Sequence, residues 1–291
     1  SKKISEIAPP KQGLATADND RFLRYWFEII IDKIGFAITS IEESVASNKK
    51  WFPYNKGGAY RRWYGNREYV VNWFDDGFEI RNFKDKNGKV RSRPQNVQYY
   101  FKPSITWSDL TSASFSGRYC EGGFIFDIKG SSGFPSREEH YYVLGFLNSK
   151  ISQECIHILN PTISTQVGDM ARIPVFFDKM KKPIIDSLVE DAVQKSRADW
   201  DSFETSWDFK NHPMICSEHL IAAGYDKWKR ETVARFQTLK DNEEELNRIF
   251  IDIYGLQDEL MPGIEDKDVT VHRIFDSKED IPESMAGSRY A

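Results

Sequence analysis

The 291-residue sequence predicts an α+β fold, with short strands of a mixed sheet in its first part and helices in its last. Two observations lead there. Between residues 69 and 128 the apolar residues come in short aromatic and β-branched runs bounded by Gly, Pro, Asn, Asp or Ser, which is the mark of strands. From residue 138 onward they recur at three- and four-residue intervals, the period of a helix. A change of composition near Lys179 then divides the chain. Residues 1–178 form an α+β domain with an N-terminal helical lead-in, 179–262 a helical spacer or clamp, and 263–291 a charged tail or truncated end.

Taken in order, 13–20 reads as a loop. The run 21–34 is compatible with a helix, its apolar set being Phe22, Phe27, Ile30, Ile31 and Ile34. Residues 51–66 mix aromatic rings with Lys56, Arg61, Arg62 and three glycines. That mixture is too polar for a core strand and too rich in glycine for a stable helix, so an exposed, shaped loop is expected. Strands are expected at 69–73, 78–83, 97–101, 104–107, 115–119 and 123–128, with Asn87-Gly88 turning a charged hairpin tip.

A helix over 138–159 places Tyr142, Leu144, Leu147, Ile151, Cys155 and Ile158 near one face, and Asn160-Pro161 stops it. Residues 162–175 read as a return strand or extended loop. Ile185, Leu188, Val193, Trp200, Phe203 and Trp207 then predict a helix with an aromatic seam. Two more helices are expected at 219–240 and 242–254, the second carrying a packing stripe of Leu246, Ile249, Phe250 and Ile253 and ending at Gly255. Past Met261 the periodicity dissolves, as in a frayed end.

Composition narrows the function. No run approaches the ~18 apolar residues of a membrane span, and the polar N-terminus has no secretory pattern, so a cytoplasmic protein without membrane contact is expected. Cys120, Cys155 and Cys216 are far apart and share no ligand spacing with the histidines, which argues against disulfides and zinc. Asp75 or Asp76 with Glu79-Ile80-Arg81 is the nearest approach to a nuclease motif, and a solvated turn explains it better.

The net charge of −4 conceals a division. Residues 49–118 hold fourteen cations against six acids, a local +8, while the acidic surplus lies mostly after Asp178. Long-range attraction follows local charge, so 49–118 is expected to face phosphates; the plainer alternative for 84–93 is a solvated hairpin tip. Nucleic acid is the ligand that uses cations, planar rings and close-approaching glycines together. Arg61 and Arg62 suit guanine or phosphate because a guanidinium makes two parallel hydrogen bonds. Lys50 and Lys56 suit phosphate, Asn55 and Asn66 adenine edges, and Tyr54, Tyr60, Trp63 and Tyr64 stacking or shaping of the loop.

Several phrases in order resemble a known family. They are Gln12-Gly13-Leu14-Ala15-Thr16-Ala17-Asp18-Asn19-Asp20-Arg21-Phe22, the 51–66 stretch, Ser104-Ile105-Thr106-Trp107-Ser108, Leu144-Gly145-Phe146-Leu147-Asn148-Ser149-Lys150, and Asn160-Pro161-Thr162 through Gln166-Val167-Gly168-Asp169 to Ile173-Pro174-Val175. Together with 243–256 they are similar to the PglX family, the adenine-specific DNA methyltransferases of BREX phage-resistance systems, from about residue 10 to 271. The resemblance implies a target-recognition-like domain and following helices from an enzyme that uses S-adenosylmethionine. It adds Thr106, Ser108, Ser116, Arg118, Gln166 and Asp169 as a second layer toward double-stranded DNA.

Adenine methylation needs a glycine-rich cofactor loop and an Asn-Pro-Pro-aromatic or Asp-Pro-Pro-aromatic motif. Gly130-Ser131-Ser132-Gly133 is isolated, and Asn160-Pro161-Thr162 lacks the second proline and the ring. This chain is therefore expected to hold no catalytic residue, cofactor or metal. Its expected partners are DNA, the catalytic domain of the same protein and other phage-defence proteins. The rival reading is a protein-interaction scaffold in a defence complex.

Overall fold

Two four-stranded sheets, one two-stranded ribbon and a helical layer make up the computed structural model, which describes residues 1–291 apart from 111–113, 163, 217 and 219. The first sheet runs Leu23–Tyr25, Tyr69–Asn72, Trp51–Asn55, Ile125–Phe126; its last pair is parallel and the others antiparallel. The second is antiparallel throughout, in the order Pro10–Lys11, Ser132–Gly133, Ser104–Thr106, Arg118–Cys120. Lys2–Lys3 pairs with Pro174–Val175. This is the α+β class expected.

Two strands lie where the alternation puts them, at Tyr69–Asn72 and Ser104–Thr106, while 115–119 and 123–128 contribute the shorter Arg118–Cys120 and Ile125–Phe126. Residues 78–83 do not form a strand. Asp75, Asp76 and Gly77 take left-handed backbone angles and turn Phe74–Arg81 into a kinked helical segment, which buries Ile80 and leaves Phe78 outside. Val97–Tyr99 is a single 3₁₀ turn.

The helix expected over 21–34 is also absent. It shrinks to Asn19–Phe22, because Leu23–Tyr25 gains more by pairing with Tyr69 to Val71 at the sheet edge. Two 3₁₀ turns follow, and Phe27, Ile30 and Ile31 remain exposed.

The 138–159 helix divides into His140–Asn148 and Lys150–Leu159 at Ser149, whose extended backbone ends one helix and whose hydroxyl caps the next. Residues 162–175 hold a short helix, Val167–Met170, before the Pro174–Val175 strand. Lys182–Trp200 forms the seam helix; Phe203 and Trp207 lie beyond its end. The two helices expected at 219–240 and 242–254 are one, Ile221–Tyr254, and His219 lies outside the described residues. Gly255 closes it with φ 68°, letting Leu256 N–H reach the Ile251 carbonyl at 3.0 Å.

One apolar core joins Trp63 and Trp107 of the sheet region to Phe146, Val189 and Phe250 of the helices. Val269, Val271 and Met285 are fully buried in that core, so 263–291 is folded structure rather than a frayed end. A second core, around Phe52, Tyr54, Trp73 and Phe126, lies beneath the first sheet.

Candidate nucleic-acid interface

Strand Trp51–Asn55 lies between Tyr69–Asn72 and Ile125–Phe126, and all five of its residues are buried. Tyr54 donates its hydroxyl to Asp127 Oδ2 at 2.7 Å, and Lys56 Nζ sits 2.7 Å from the same oxygen. Asn55 Nδ2 approaches Cys120 Sγ at 3.6 Å. These polar groups are satisfied inside the fold, which is what lets so polar a stretch be a strand.

The arginines that follow are buried as well. Arg61 donates from Nε to the Tyr64 carbonyl at 2.7 Å and from Nη2 to the Ser196 carbonyl and Asp199 Oδ2, both at 3.0 Å. Arg62 Nη1 donates to Glu243 Oε2 at 2.9 Å, while Trp63 Nε1 donates to Glu243 Oε1. Tyr60 accepts the Tyr290 hydroxyl on its carbonyl, and Asn66 Nδ2 donates to the Ala59 carbonyl. Tyr64 lies under Arg67, 3.8 Å from guanidinium to ring centre. The expectation of an exposed loop over 51–66 is therefore corrected. In this conformation Arg61, Arg62, Trp63, Tyr64 and Asn66 offer a ligand no surface, because partners 130 and more residues away occupy the two guanidinium groups.

The second layer scatters. Thr106 donates to the Ser131 carbonyl and Ser108 to the Gly58 carbonyl, both buried. Ser116 is buried, and Arg118 is 2% exposed, its guanidinium reaching carbonyls of Arg61 and Ser116 at 3.2 and 3.4 Å. Burial brings the Arg118 guanidinium down to about 10. Gln166 is exposed, and Asp169 is held by Asn160 and Arg172. Lys50 is exposed with its ammonium over the Trp51 ring.

Of the fourteen cations in 49–118, Arg61, Arg62, Arg67 and Arg118 are buried. Lys84, Lys86, Lys89, Arg91 and Arg93 are all exposed, and they follow one another along a single hairpin. That hairpin is pinned. Lys84 bridges Val90, Asp85 accepts the Asn87 and Lys89 amides on one carboxylate oxygen, and Gly88 turns the tip at φ 80°. At the root Arg93 exchanges two backbone hydrogen bonds with Ala15, and Phe83 packs edge-on against Phe22. Asp85, the one acid within 84–93, is spent on the turn, so the hairpin shows solvent an almost purely cationic face. The sequence carried this signal as a charge count but not its placement.

Gly130 to Gly133 is filled by the fold itself. A Cβ on Gly130 would sit 2.2 Å from the Asn55 carbonyl oxygen, and Ser132–Gly133 is a strand, so the segment does not fit a cofactor phosphate. Asn160 caps the Lys150–Leu159 helix and donates to the Ser164 carbonyl, the structural role expected of a helix stop. Among the described residues no group of three His, Cys, Asp or Glu side chains is placed to hold a metal, and no helix is long and apolar enough to cross a membrane.

No family model matches the chain. It is 42% identical over 281 residues to the adenine-specific methyltransferase PglX of Lacticaseibacillus casei (strain Zhang), a match that covers 94% of this chain and 23% of that protein. It is 32% identical over 258 residues to the adenine-specific methyltransferase BrxX of Escherichia coli O9:H4 (strain HS), covering 87% of this chain and 20% of that protein. The chain thus spans under a quarter of these relatives. Its fold is similar to that of the type IIL restriction-modification enzyme MmeI, solved in complex with DNA, with a TM-score of 0.50 at 10% identity over 88% of this chain and 34% of that one.

Proposed function

We propose that this chain, a relative of one portion of the PglX and BrxX adenine-specific methyltransferases, is the DNA sequence-recognition portion of such an enzyme, with methyl transfer from S-adenosylmethionine performed by a domain outside these residues. The observation that carries this reading is the pinned 84–93 hairpin, whose five exposed cations project from an otherwise acidic protein. A narrow hairpin has the width to enter the major groove, and its flanking cations hold phosphates while the tip reads base edges. Arg61 and Arg62 then act one step removed, as a buried scaffold that fixes the sheet region against the helices, with Arg118 bracing the Arg61 carbonyl. The full-length enzyme would work in the cytoplasm against phage DNA, with other defence proteins as its partners.

The test is selection from a randomised duplex pool. Enrichment of a defined sequence by the wild-type chain, lost when Lys84, Lys86 and Lys89 are all changed to alanine, supports sequence recognition through the hairpin. A pool that emerges unenriched from the wild-type chain overturns it.

A protein-interaction scaffold is the second reading, on different residues from those first expected. Phe27, Ile30 and Ile31 are 59%, 73% and 53% exposed on consecutive turns at the edge of the first sheet, an apolar strip of the kind that partners cover.

A further inference from the structure

A cleft of about 830 Å³ opens between the end of the second sheet and the helical layer, with the buried Arg67 held behind it by the Tyr119 carbonyl and the Glu121 carboxylate. One side carries Tyr119 and Tyr141, with ring centres 5.6 Å apart, and Tyr119 is backed by the buried His140 ring at 4.7 Å. The lining also includes Tyr99, which holds the ammonium groups of Lys11 and Lys102 each 5.5 Å from its ring centre. Arg137 and Glu190 complete the rim. Among the described residues Lys102, Arg137 and Glu190 have no ion-pair partner, Lys102 resting on the Tyr99 ring, while Glu121, the other carboxylate of the lining, is paired with Arg67.

This combination has a chemical meaning. Half-buried tyrosine rings in an open cleft provide a stacking surface for a planar base, and cations at the mouth suit the phosphates on either side of it. A free carboxylate on the same rim accepts hydrogen bonds from an exocyclic amino group. An apolar ligand would leave the cations and Glu190 without partners, and a bare anion would leave the rings unused. A nucleotide uses all of them.

We propose that this cleft binds a single unpaired nucleotide of a nucleic acid strand, its base against Tyr141 and Tyr119 and its flanking phosphates on Lys102 and Arg137. The site is separate from the 84–93 hairpin and stands whether or not that hairpin grips duplex DNA.

Fluorescence-anisotropy titration of the chain with a short single-stranded oligodeoxyadenylate, beside a fully paired duplex, tests it. Tyr141→Ala is expected to weaken single-strand binding by about tenfold, within the range for losing one base–aromatic stack. Tyr141→Phe, which keeps the ring, is expected to bind as wild type, and the Lys102→Ala, Arg137→Ala pair to flatten the salt dependence of single-strand binding. Duplex binding should be unmoved by all of these and sensitive to the hairpin variants instead. Single-strand affinity equal to wild type in Tyr141→Ala, or lost equally in Tyr141→Phe, would overturn the assignment. Circular dichroism melting of each variant identifies any that fails to fold, and the lysine and arginine changes on the exposed rim keep the test open in that case.

Discussion

Arg61 and Asp199, 138 residues apart in the chain, meet at 3.0 Å with side chains only 4% and 1% exposed. His272 approaches the same carboxylate, its ring Nδ1 at 3.0 Å and its backbone amide at 2.9 Å, with Arg235 at 3.7 Å. Burial alone would raise the Asp199 carboxyl, but the His272 hydrogen bonds and the Arg61 charge outweigh it and hold the group down at about 2. One carboxylate therefore ties the sheet region, the Lys182–Trp200 helix, the long helix and residue 272 together.

Removing Arg61 leaves the buried Asp199 carboxylate with only His272 and the more distant Arg235 as partners. Arg61→Ala is expected to cost about 3 kcal/mol in urea unfolding, the low end for breaking a buried pair because His272 and Arg235 stay on Asp199, whereas replacing Arg61 and Asp199 together with apolar residues of similar volume is expected to cost less than the sum of the two single changes. The non-additivity of that double-mutant cycle is the readout.

Helix packing gives a prediction in which two effects oppose. Gly145 lies mid-helix, where alanine would ordinarily gain about 1 kcal/mol of propensity. A Cβ there would stand 2.7 Å from Val189 Cγ2 on the Lys182–Trp200 helix, and overpacking of that kind costs about 1–3 kcal/mol. Gly145→Ala is accordingly expected to lower the melting temperature, with Gly145→Ala, Val189→Ala together recovering part of the loss.

A pH dependence follows from His140. Burial lowers it from 6.5 to about 4, against the raising effect of its hydrogen bond to the Ser104 carbonyl. The folded protein keeps this ring neutral where the unfolded chain binds a proton, so its contribution is complete above pH 6.5 and is lost as pH falls from 6.5 towards 4. Between pH 7 and 5 the loss is about 2 kcal/mol. His140→Gln is expected to remove that slope, measured as unfolding free energy in urea at the two pH values.

How much of this was legible in the sequence depends on where each residue's partners lie. Tyr69–Asn72, Ser104–Thr106 and the helical character of 138–159, though not its break at Ser149, were readable because their signals are local: β-branched alternation, apolar period, and the Asn160-Pro161 stop. The 51–66 stretch defeats a local reading because its polarity is satisfied by Asp127, Asp199 and Glu243, and nothing within sixteen residues announces such distant partners. The 263–291 segment has little period of its own, yet Val269 and Val271 are buried against helices that are already formed. In the candidate interface the charge asymmetry of 49–118 was visible, but composition cannot separate a guanidinium locked in the core from an ammonium on a hairpin tip.

The most direct test of the central claim is the salt dependence of duplex DNA binding by the wild-type chain and by the variant with Lys84, Lys86 and Lys89 changed to alanine. If the hairpin meets phosphates, the slope of log affinity against log salt becomes shallower by about 0.9 for each phosphate no longer neutralised, or roughly 2.7 if all three lysines engage. The same steep slope in both proteins would contradict the account and move the DNA-binding surface elsewhere.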